Sequence, residues 1–286
     1  MTPLGFTSWR GIFGGVVLVL ILLASWGRRA PMADLRQVPR RDLVALLVAG
    51  ASGVTLNLAI FVAFRRITIA LALLAFYTYP AMVALFTIVI ERRRPATIEL
   101  VALLLALAGM VLVVAGQLDP TAGLVLDAIG LSLAFLAAIA QTVYVLANRS
   151  YQAIPTEQVG TFLVWITVAS YFVIAVLTSS LDSIAQPFRS PAAWPYLLWA
   201  GVIGGGLPSL LFLVAVHWIG PVRTGILAML EPVTGTVLAA ALLGESLRPI
   251  QVAGGILVIL AGILLQRAPR LPNDAPVGGL EVPEPG

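Results

Sequence analysis

Nine long apolar runs constrain this chain more than any other feature of its sequence. A helix rises about 1.5 Å per residue, so roughly 20 apolar residues cross a hydrocarbon core of about 30 Å. Each run is long enough for one crossing, and most connections between runs are short. The runs are 9–27, 43–64, 67–90, 98–116, 124–147, 159–180, 194–218, 222–243 and 250–265. The sequence therefore predicts an all-α, polytopic membrane protein.

The composition excludes several classes of membrane machine. Of the 286 residues, 60% are apolar and 10% are charged, and there is no Cys, no Lys and one His, His217. Without thiols and with a single imidazole, no metal or haem site is expected from this chain. Without lysine there is neither a Walker-A phosphate loop nor a retinal Schiff base. We expect no cofactor and no metal, and any energy for work must come from a gradient.

The arginines indicate how the chain is oriented in the membrane. The loops after odd-numbered spans carry 12 of the 17 arginines and the opposite side carries 5. The arginine-rich side is expected to be cytoplasmic. We therefore expect a multi-pass protein of the cell inner (plasma) membrane whose C-terminus lies in the cytoplasm. The isoelectric point is high because of these arginines. Since they follow the positive-inside pattern, they do not indicate a nucleic-acid partner, and none is expected.

The sequence contains an internal repeat. At an offset of 152 residues, Gly53 aligns with Gly205 and Pro80 with Pro232, and after a two-residue insertion Glu91 aligns with Glu245. The register pairs the second to fourth spans with the seventh to ninth. Paired spans are thus five spans apart. Because five is an odd number of membrane crossings, the two halves run in opposite directions, which is the inverted-repeat plan of secondary transporters.

The repeat predicts three regions. Residues 1–117 form the first repeat with four spans, residues 121–267 form the second with five, and the proline-rich, acidic segment 268–286 is predicted to be disordered. Under the same offset, the fifth span would correspond to a helix before Met1. We therefore expect that the first helix of a symmetric five-plus-five protein is absent from this chain.

Several motifs resemble the EamA repeat of the drug/metabolite transporter superfamily. They are Leu230-Glu231-Pro232-Val233, Leu243-Gly244-Glu245-Ser246-Leu247 and Gly254, Gly255 and Gly262, with a weaker copy in Tyr79-Pro80, Glu91-Arg92 and Gly109. The likeness covers about residues 1–267. It implies ten helices in two inverted five-helix repeats and movement of small metabolites, amino acids or drugs, usually outward. The chain departs from that pattern in its missing first helix.

Glu231 is the strongest candidate for chemistry. It lies nine residues past Val222, roughly 13 Å into its span and close to the bilayer centre. An ionised carboxylate there costs on the order of 2.5–3.5 kcal/mol on insertion scales, so the hydrocarbon favours the neutral acid. Glu231 is predicted either to carry a proton or to bind a substrate ammonium. The alternative is a protonated acid that hydrogen-bonds a neighbouring helix and only stabilises the bundle.

Two prolines at matching positions predict interrupted helices. Pro80 and Pro232 each lack an N–H and leave the carbonyl of Phe76 or Ala228 without its helical partner. Such breaks at equivalent positions of two halves are typical of substrate sites, although a packing kink is the alternative. Gly205 and Pro208 in the seventh span predict a second, looser point of bending.

Polar and aromatic side chains at similar depths are predicted to line one cavity between the two halves. They are Tyr77, Tyr79, Asn57, Gln141, Tyr144, Trp165 and Ser209. Aromatic walls with a few hydrogen-bonding groups suit an apolar or aromatic solute. The alternative for each is a hydrogen bond between helices.

Together these features predict a gradient-driven secondary transporter that exports small organic solutes by alternating access and is not an enzyme. The expected partners are a small-molecule substrate and the lipid bilayer, and proton coupling is left open. The alternatives are a passive channel or a non-transporting membrane subunit. A lipid-modifying enzyme is less favoured, because the chain offers almost no nucleophile or base for it.

Overall fold

The computed structural model describes residues 2–25, 33–34, 36–89, 92, 95–117, 127–151, 153–244 and 246–267. Within these ranges the chain is helical and contains no strand. The α-helices are α1 Pro3–Ser25, α2 Arg40–Ala63, α3 Ile69–Phe76, α4 Tyr79–Val89, α5 Thr97–Ala115, α6 Ala128–Ser150, α7 Thr156–Leu177, α8 Leu181–Arg189, α9 Trp194–Gly201, α10 Leu207–Ile219, α11 Pro221–Ala228, α12 Leu230–Leu243 and α13 Pro249–Gln266. The predicted tail 268–286, Glu91 and Glu245 lie outside the described residues.

These helices form nine segments that are long and apolar enough to cross a membrane, counted over the described ranges. The all-α, multi-span fold class is therefore confirmed, and the ends agree with the apolar runs to within a few residues. The first span begins earlier than predicted, at Pro3, because Thr7 and Ser8 turn inward and are buried.

The third and eighth spans are each interrupted. Helix α3 ends at Phe76 and α11 ends at Ala228, in each case four residues before a proline. A proline ring clashes with the carbonyl four residues earlier, which explains this position. Adding the repeat offset to α3 gives 69 + 152 = 221 and 76 + 152 = 228, the bounds of α11. The two interruptions are therefore equivalent in the repeat.

The seventh span is irregular in a different way. It begins with a 3₁₀ turn, Pro191–Ala193, continues as α9, and passes through a π-helical turn, Val202–Gly206, before α10. The π turn coincides with the run Gly204–Gly206, where no side chains resist the wider backbone. Gly205 therefore lies within the turn, and Pro208 follows it on α10.

The described chain divides into two compact units. The first unit contains the chain up to Val54 together with Ala147–Trp218, and the second contains Thr55–Leu146 together with the chain from Ile219 to the end of α13. Each unit has its own buried apolar contacts. They are described separately below.

Helices α5 and α13 form the closest helix pair of the second unit. Gly109 and Gly254 face each other so closely that a Cβ on Gly254 would lie 2.5 Å from the Gly109 carbonyl oxygen. Elsewhere in this unit, α2, α3 and α6 pack through small side chains, including Ala63, Ala72 and Ala137, which are fully buried. Small residues allow helices to approach, and van der Waals packing then holds them together in a membrane.

In the first unit, α1 packs along α7 and against the π turn. A Cβ on Gly11 would lie 2.7 Å from Val168, and one on Gly14 would lie 2.7 Å from the backbone nitrogen of Gly206. The glycine spacing in α1 thus allows one face of this helix to contact both α7 and the π turn. The third contact on this face is Trp165, whose ring lies against Gly15.

Helix α8, between the sixth and seventh spans, was not predicted. It is amphipathic, and its apolar positions Leu181, Ile184, Ala185 and Phe188 follow the helical spacing i, i+3, i+4 and i+7. The ring nitrogen of Trp9 donates a hydrogen bond of 2.8 Å to the Ile184 carbonyl. The pattern was readable in the sequence but is shorter than a span, so a search for membrane crossings passes over it.

The glycine contact between α5 and α13 predicts a position-specific effect on stability. Gly254→Ala places a methyl group against backbone atoms of α5, and we expect it to destabilise the protein by about 1–3 kcal/mol. Gly235→Ala on α12 is the matched control, because nothing lies within 4 Å of its Cβ. The measurement is thermal unfolding in detergent. Equal unfolding temperatures for the two variants would contradict the contact.

Candidate functional site

The two interruptions of the second unit bring three polar side chains together. Tyr77 occupies the gap between α3 and α4, Tyr79 begins α4, and Glu231 lies in the first turn of α12. The Tyr77 hydroxyl donates a hydrogen bond of 3.3 Å to Oε2 of Glu231. Both phenols are within electrostatic range of the carboxylate. Glu231 and Tyr79 are also equivalent in the repeat, since 79 + 152 = 231.

The phenol rings are fixed and the carboxylate is accessible. Tyr77 is 5% exposed and Tyr79 is 2% exposed, whereas Glu231 is exposed. The ring of Phe76 packs on both phenols, with centroid distances of 5.2 Å to Tyr77 and 5.4 Å to Tyr79. The site thus presents a carboxylate on a rigid aromatic support, which can bind a proton or a cationic group.

Close backbone packing positions the two interruptions. A Cβ on Gly225 of α11 would lie 3.2 Å from the Cβ of Pro80 on α4, so the helix preceding Glu231 contacts the proline that ends α3. On the other side, Gly262 of α13 faces Leu227 and Leu230. Glycines on both sides let α11 approach α4 and α13 closely.

Helix α6 completes one side of the site in the same unit. Gln141 is buried beside the Tyr79 hydroxyl, and the hydroxyl of Thr142 lies 3.5 Å from the Tyr79 carbonyl. Asn57 on α2 and Tyr144 on α6 are half-buried members of this unit. Of the predicted site residues, the structure therefore brings Tyr77, Tyr79, Gln141 and Glu231 into one cluster.

The other predicted residues belong to the first unit. Trp165 is 37% exposed and packs on Gly15 of α1. The hydroxyl of Ser209 donates a 2.7 Å hydrogen bond to the carbonyl of Gly205, one turn back in its own span. Their place in a substrate cavity stays a prediction.

One face of α12 is exposed along its length. Its members Glu231, Thr234, Gly235 and Leu238 follow the spacing i, i+3, i+4 and i+7. On the opposite side of the helix, Val233 is buried against Gly255 of α13. The Glu231 carboxylate therefore heads a continuous open face that includes a hydroxyl and a glycine.

A buried ion pair supports the helix that precedes Glu231, and sequence reasoning missed it. Nε of Arg223 on α11 donates to Oε1 of Glu99 on α5 at 2.6 Å, with 10% and 6% of the two side chains exposed. The other Glu99 oxygen accepts the Ala96 backbone N–H at 3.0 Å. The signal was available, because Glu99 is an acidic residue inside an apolar run, as Glu231 is.

The count of loop arginines needs a correction. It treated Arg223 and Arg10 as loop residues, whereas Arg223 is buried in an ion pair on α11 and Arg10 lies well inside α1. Both had been counted because they stand near the ends of their apolar runs. The other arginines that the helices contain lie at helix ends. Removing one residue from each side leaves 12 − 1 = 11 against 5 − 1 = 4, so the asymmetry persists.

Comparisons with known proteins agree with this architecture. A sequence model of the EamA-like transporter family matches residues 1–115 and 128–267. The chain belongs to the EamA-like transporter family. An uncharacterized transporter of Archaeoglobus fulgidus is 24% identical over 263 residues, which are 92% of this chain and 86% of that protein.

A solved crystal structure shares the fold. It matches with a TM-score of 0.68 at 19% identity and covers 93% of this chain and 88% of its own. The resemblance to the EamA family is thus confirmed, and the protein is a membrane transporter of that family. In the part of the chain that the structure describes, no three His, Cys, Asp or Glu side chains are grouped to hold a metal ion.

The Glu99–Arg223 pair predicts a large and non-additive effect. Glu99→Gln removes the carboxylate charge that faces the buried Arg223 guanidinium, and we expect a loss of about 3–5 kcal/mol in unfolding free energy. The double variant Glu99→Leu/Arg223→Met removes both charges and should recover most of that loss. Equilibrium unfolding in detergent measures the free energy of unfolding of the single and the double variant.

The matched control is the exposed pair between Arg66 and Asp127, with an oxygen–nitrogen distance of 2.9 Å. The Arg66 guanidinium and the backbone N–H of Ile129 hold the pKa of the Asp127 carboxyl below its usual value. Arg66→Gln should change stability little, because solvent screens an exposed pair. A loss as large as that of Glu99→Gln would contradict the assignment, as would a double variant no more stable than Glu99→Gln.

Proposed function

We propose that this protein is a gradient-driven secondary transporter that exports small organic solutes, with Glu231 as the group that alternates between solute and proton. The observation that carries the proposal is an exposed carboxylate at a helix interruption in mid-membrane. Glu231 lies ten residues after Pro221, or about 15 Å along the span. This is close to the middle of a hydrocarbon core of about 30 Å.

The exposure of Glu231 supports a water-filled path along α12. An ionised carboxylate that faced lipid tails would cost about 2.5–3.5 kcal/mol. Thr234 and Gly235, on the same face, are exposed as well. We infer that this face lines the route of the solute rather than contacting lipid.

The chemistry of the cluster suggests the class of solute. The ionised carboxylate, which accepts a hydrogen bond from Tyr77, attracts an ammonium group, while Phe76 and the two phenols offer apolar ring surface. Protonation of Glu231 removes the charge that holds the cation. A proton that enters along its gradient can therefore release an amine or amino acid with an apolar side chain.

The direction of transport and the orientation are part of the proposal. The arginine asymmetry, 11 to 4 after correction, favours a cytoplasmic C-terminus in a cell inner (plasma) membrane. Outward movement of solute is the usual direction in the family that the sequence resembles. Alternating access would then carry the interrupted helices of the two repeats between inward- and outward-open states.

The test is transport by proteoliposomes with a labelled panel of amino acids and organic cations, with and without an imposed pH gradient. We expect saturable, gradient-dependent flux of one solute class. Glu231→Gln keeps the shape but cannot ionise, and it should lower that flux by about tenfold or more, the equivalent of about 1.4 kcal/mol. Tyr77→Phe removes one weak hydrogen bond and should lower flux by about threefold to fivefold.

Glu157→Gln is the matched control, because this acid lies in the first turn of α7 at the end of a span. It should transport as the wild type does. Full, pH-dependent transport by Glu231→Gln would remove Glu231 from the mechanism. Gradient-independent, non-saturating flux would support the passive channel, and no flux of any solute would support the non-transporting subunit.

A further inference from the structure

Arg10 is a charged residue inside the first span. It lies seven residues after Pro3 on α1, or about 10 Å from the start of the helix. No hydrogen bond or ion pair joins its guanidinium to any part of the chain that the structure describes. A cation at this depth is costly, and such residues mark functional sites when they lack a structural partner.

Among the described residues around Arg10, the acidic group of the neighbouring helix is already engaged. Helix α8 packs against the start of α1, where the Ser183 carbonyl lies directly against Gly5. Asp182 on α8 is already paired with Arg189 at 3.1 Å. The Arg10 side chain instead rests on the π turn, where a Cβ on Gly205 would lie 3.5 Å from Arg10 Cγ.

A buried hydroxyl lies on α7, the helix that packs against α1 beside Arg10, and it has no hydrogen-bond partner among the described residues. Tyr171 carries this hydroxyl and is 2% exposed. It is one turn beyond Val168, which contacts Gly11 of α1, and it is within electrostatic range of Arg10. An unsatisfied buried hydroxyl costs about 1–3 kcal/mol, so native proteins seldom keep one without a use.

We propose that Arg10 and Tyr171 form a binding site for an oxyanion, either a carboxylate or a phosphate. The guanidinium supplies two parallel N–H donors and the phenol supplies a third donor, a set that matches the oxygens of such a group. The glycines of the π turn let the Arg10 stem pack directly on the backbone, since a Cβ on Gly205 would lie 3.5 Å from Arg10 Cγ. The oxyanion belongs either to a dissolved solute or to a phospholipid headgroup.

This site is independent of Glu231, because all of its residues lie in the first unit. Its test measures binding rather than transport, so its failure and that of the proposed function can be told apart. The intrinsic tryptophan fluorescence of the full-length protein in detergent provides the signal, to which Trp9, adjacent to Arg10 in sequence, contributes as one of six tryptophans. Dissolved probes are sodium phosphate and sodium acetate, titrated at constant ionic strength against chloride.

The lipid probe is phosphatidylglycerol in mixed micelles, compared with diacylglycerol, which has the same chains but no phosphate. We expect saturable binding in one of the two arms. Binding of dissolved anions identifies a solute carboxylate or phosphate, and binding of phosphatidylglycerol alone identifies a headgroup. Either result supports the site only if the variants behave as follows.

Arg10→Gln should raise the dissociation constant by about tenfold or more, and Tyr171→Phe by about threefold to fivefold. Arg189→Gln, which removes an exposed arginine of the same unit, should bind as the wild type does. If Arg10→Gln does not fold, the binding of the probes by Tyr171→Phe and Arg10→Lys tests the site, since both substitutions preserve packing. The proposal is overturned if no probe binds saturably, or if the variants that fold bind as tightly as the wild type.

Discussion

The backbone of this protein must satisfy its own hydrogen bonds, because the hydrocarbon core offers no water to replace them. Every span is therefore helical, and the described spans depart from regular α-helix within the membrane at three places. These are the gap at Tyr77 and Thr78, the break at Met229, and the π turn Val202–Gly206. Each departure is accompanied by polar side chains, Glu231 with Tyr77 in the second unit and Arg10 with Tyr171 in the first. In both units, irregular backbone occurs together with a charged side chain and a buried phenol.

Irregular helices need a rigid support, and the second unit provides one. The glycine contact between α5 and α13 joins two uninterrupted spans at close range. The buried Glu99–Arg223 pair then joins the first turn of α11 to α5. Because α11 also packs on Pro80 through Gly225, the helix that leads to Glu231 is fixed on two sides. The carboxylate can change partners while the backbone around it stays in place.

Much of this arrangement could be predicted from the sequence, because hydrocarbon thickness and proline chemistry act locally. The apolar runs predicted the spans, and Pro80 and Pro232 predicted where α3 and α11 end. Depth along each span placed Tyr77, Tyr79 and Gln141 in one predicted cavity, but the same reasoning also included Trp165 and Ser209, which belong to the first unit, and it treated Glu231 separately. Glu99 inside an apolar run was a readable signal, but its pairing with Arg223 could not be predicted, because it depends on which helices are in contact. The same holds for the approach of the helix that carries Tyr171 to the helix that carries Arg10. Counting arginines by side treated both cations as loop charges.

We propose that the exposed face of α12 lines an aqueous path to Glu231. The chain has no native cysteine, so single cysteines can be introduced and labelled without background. Gly235→Cys and Leu238→Cys probe this face, Val233→Cys probes the buried side, and Leu104→Cys, 66% exposed on α5, probes an apolar exposed surface. Because only a hydrated thiolate reacts, we expect the first two to label with a membrane-impermeant thiol reagent about tenfold faster than the others. Equally slow labelling at all four positions in lipid vesicles would contradict the account.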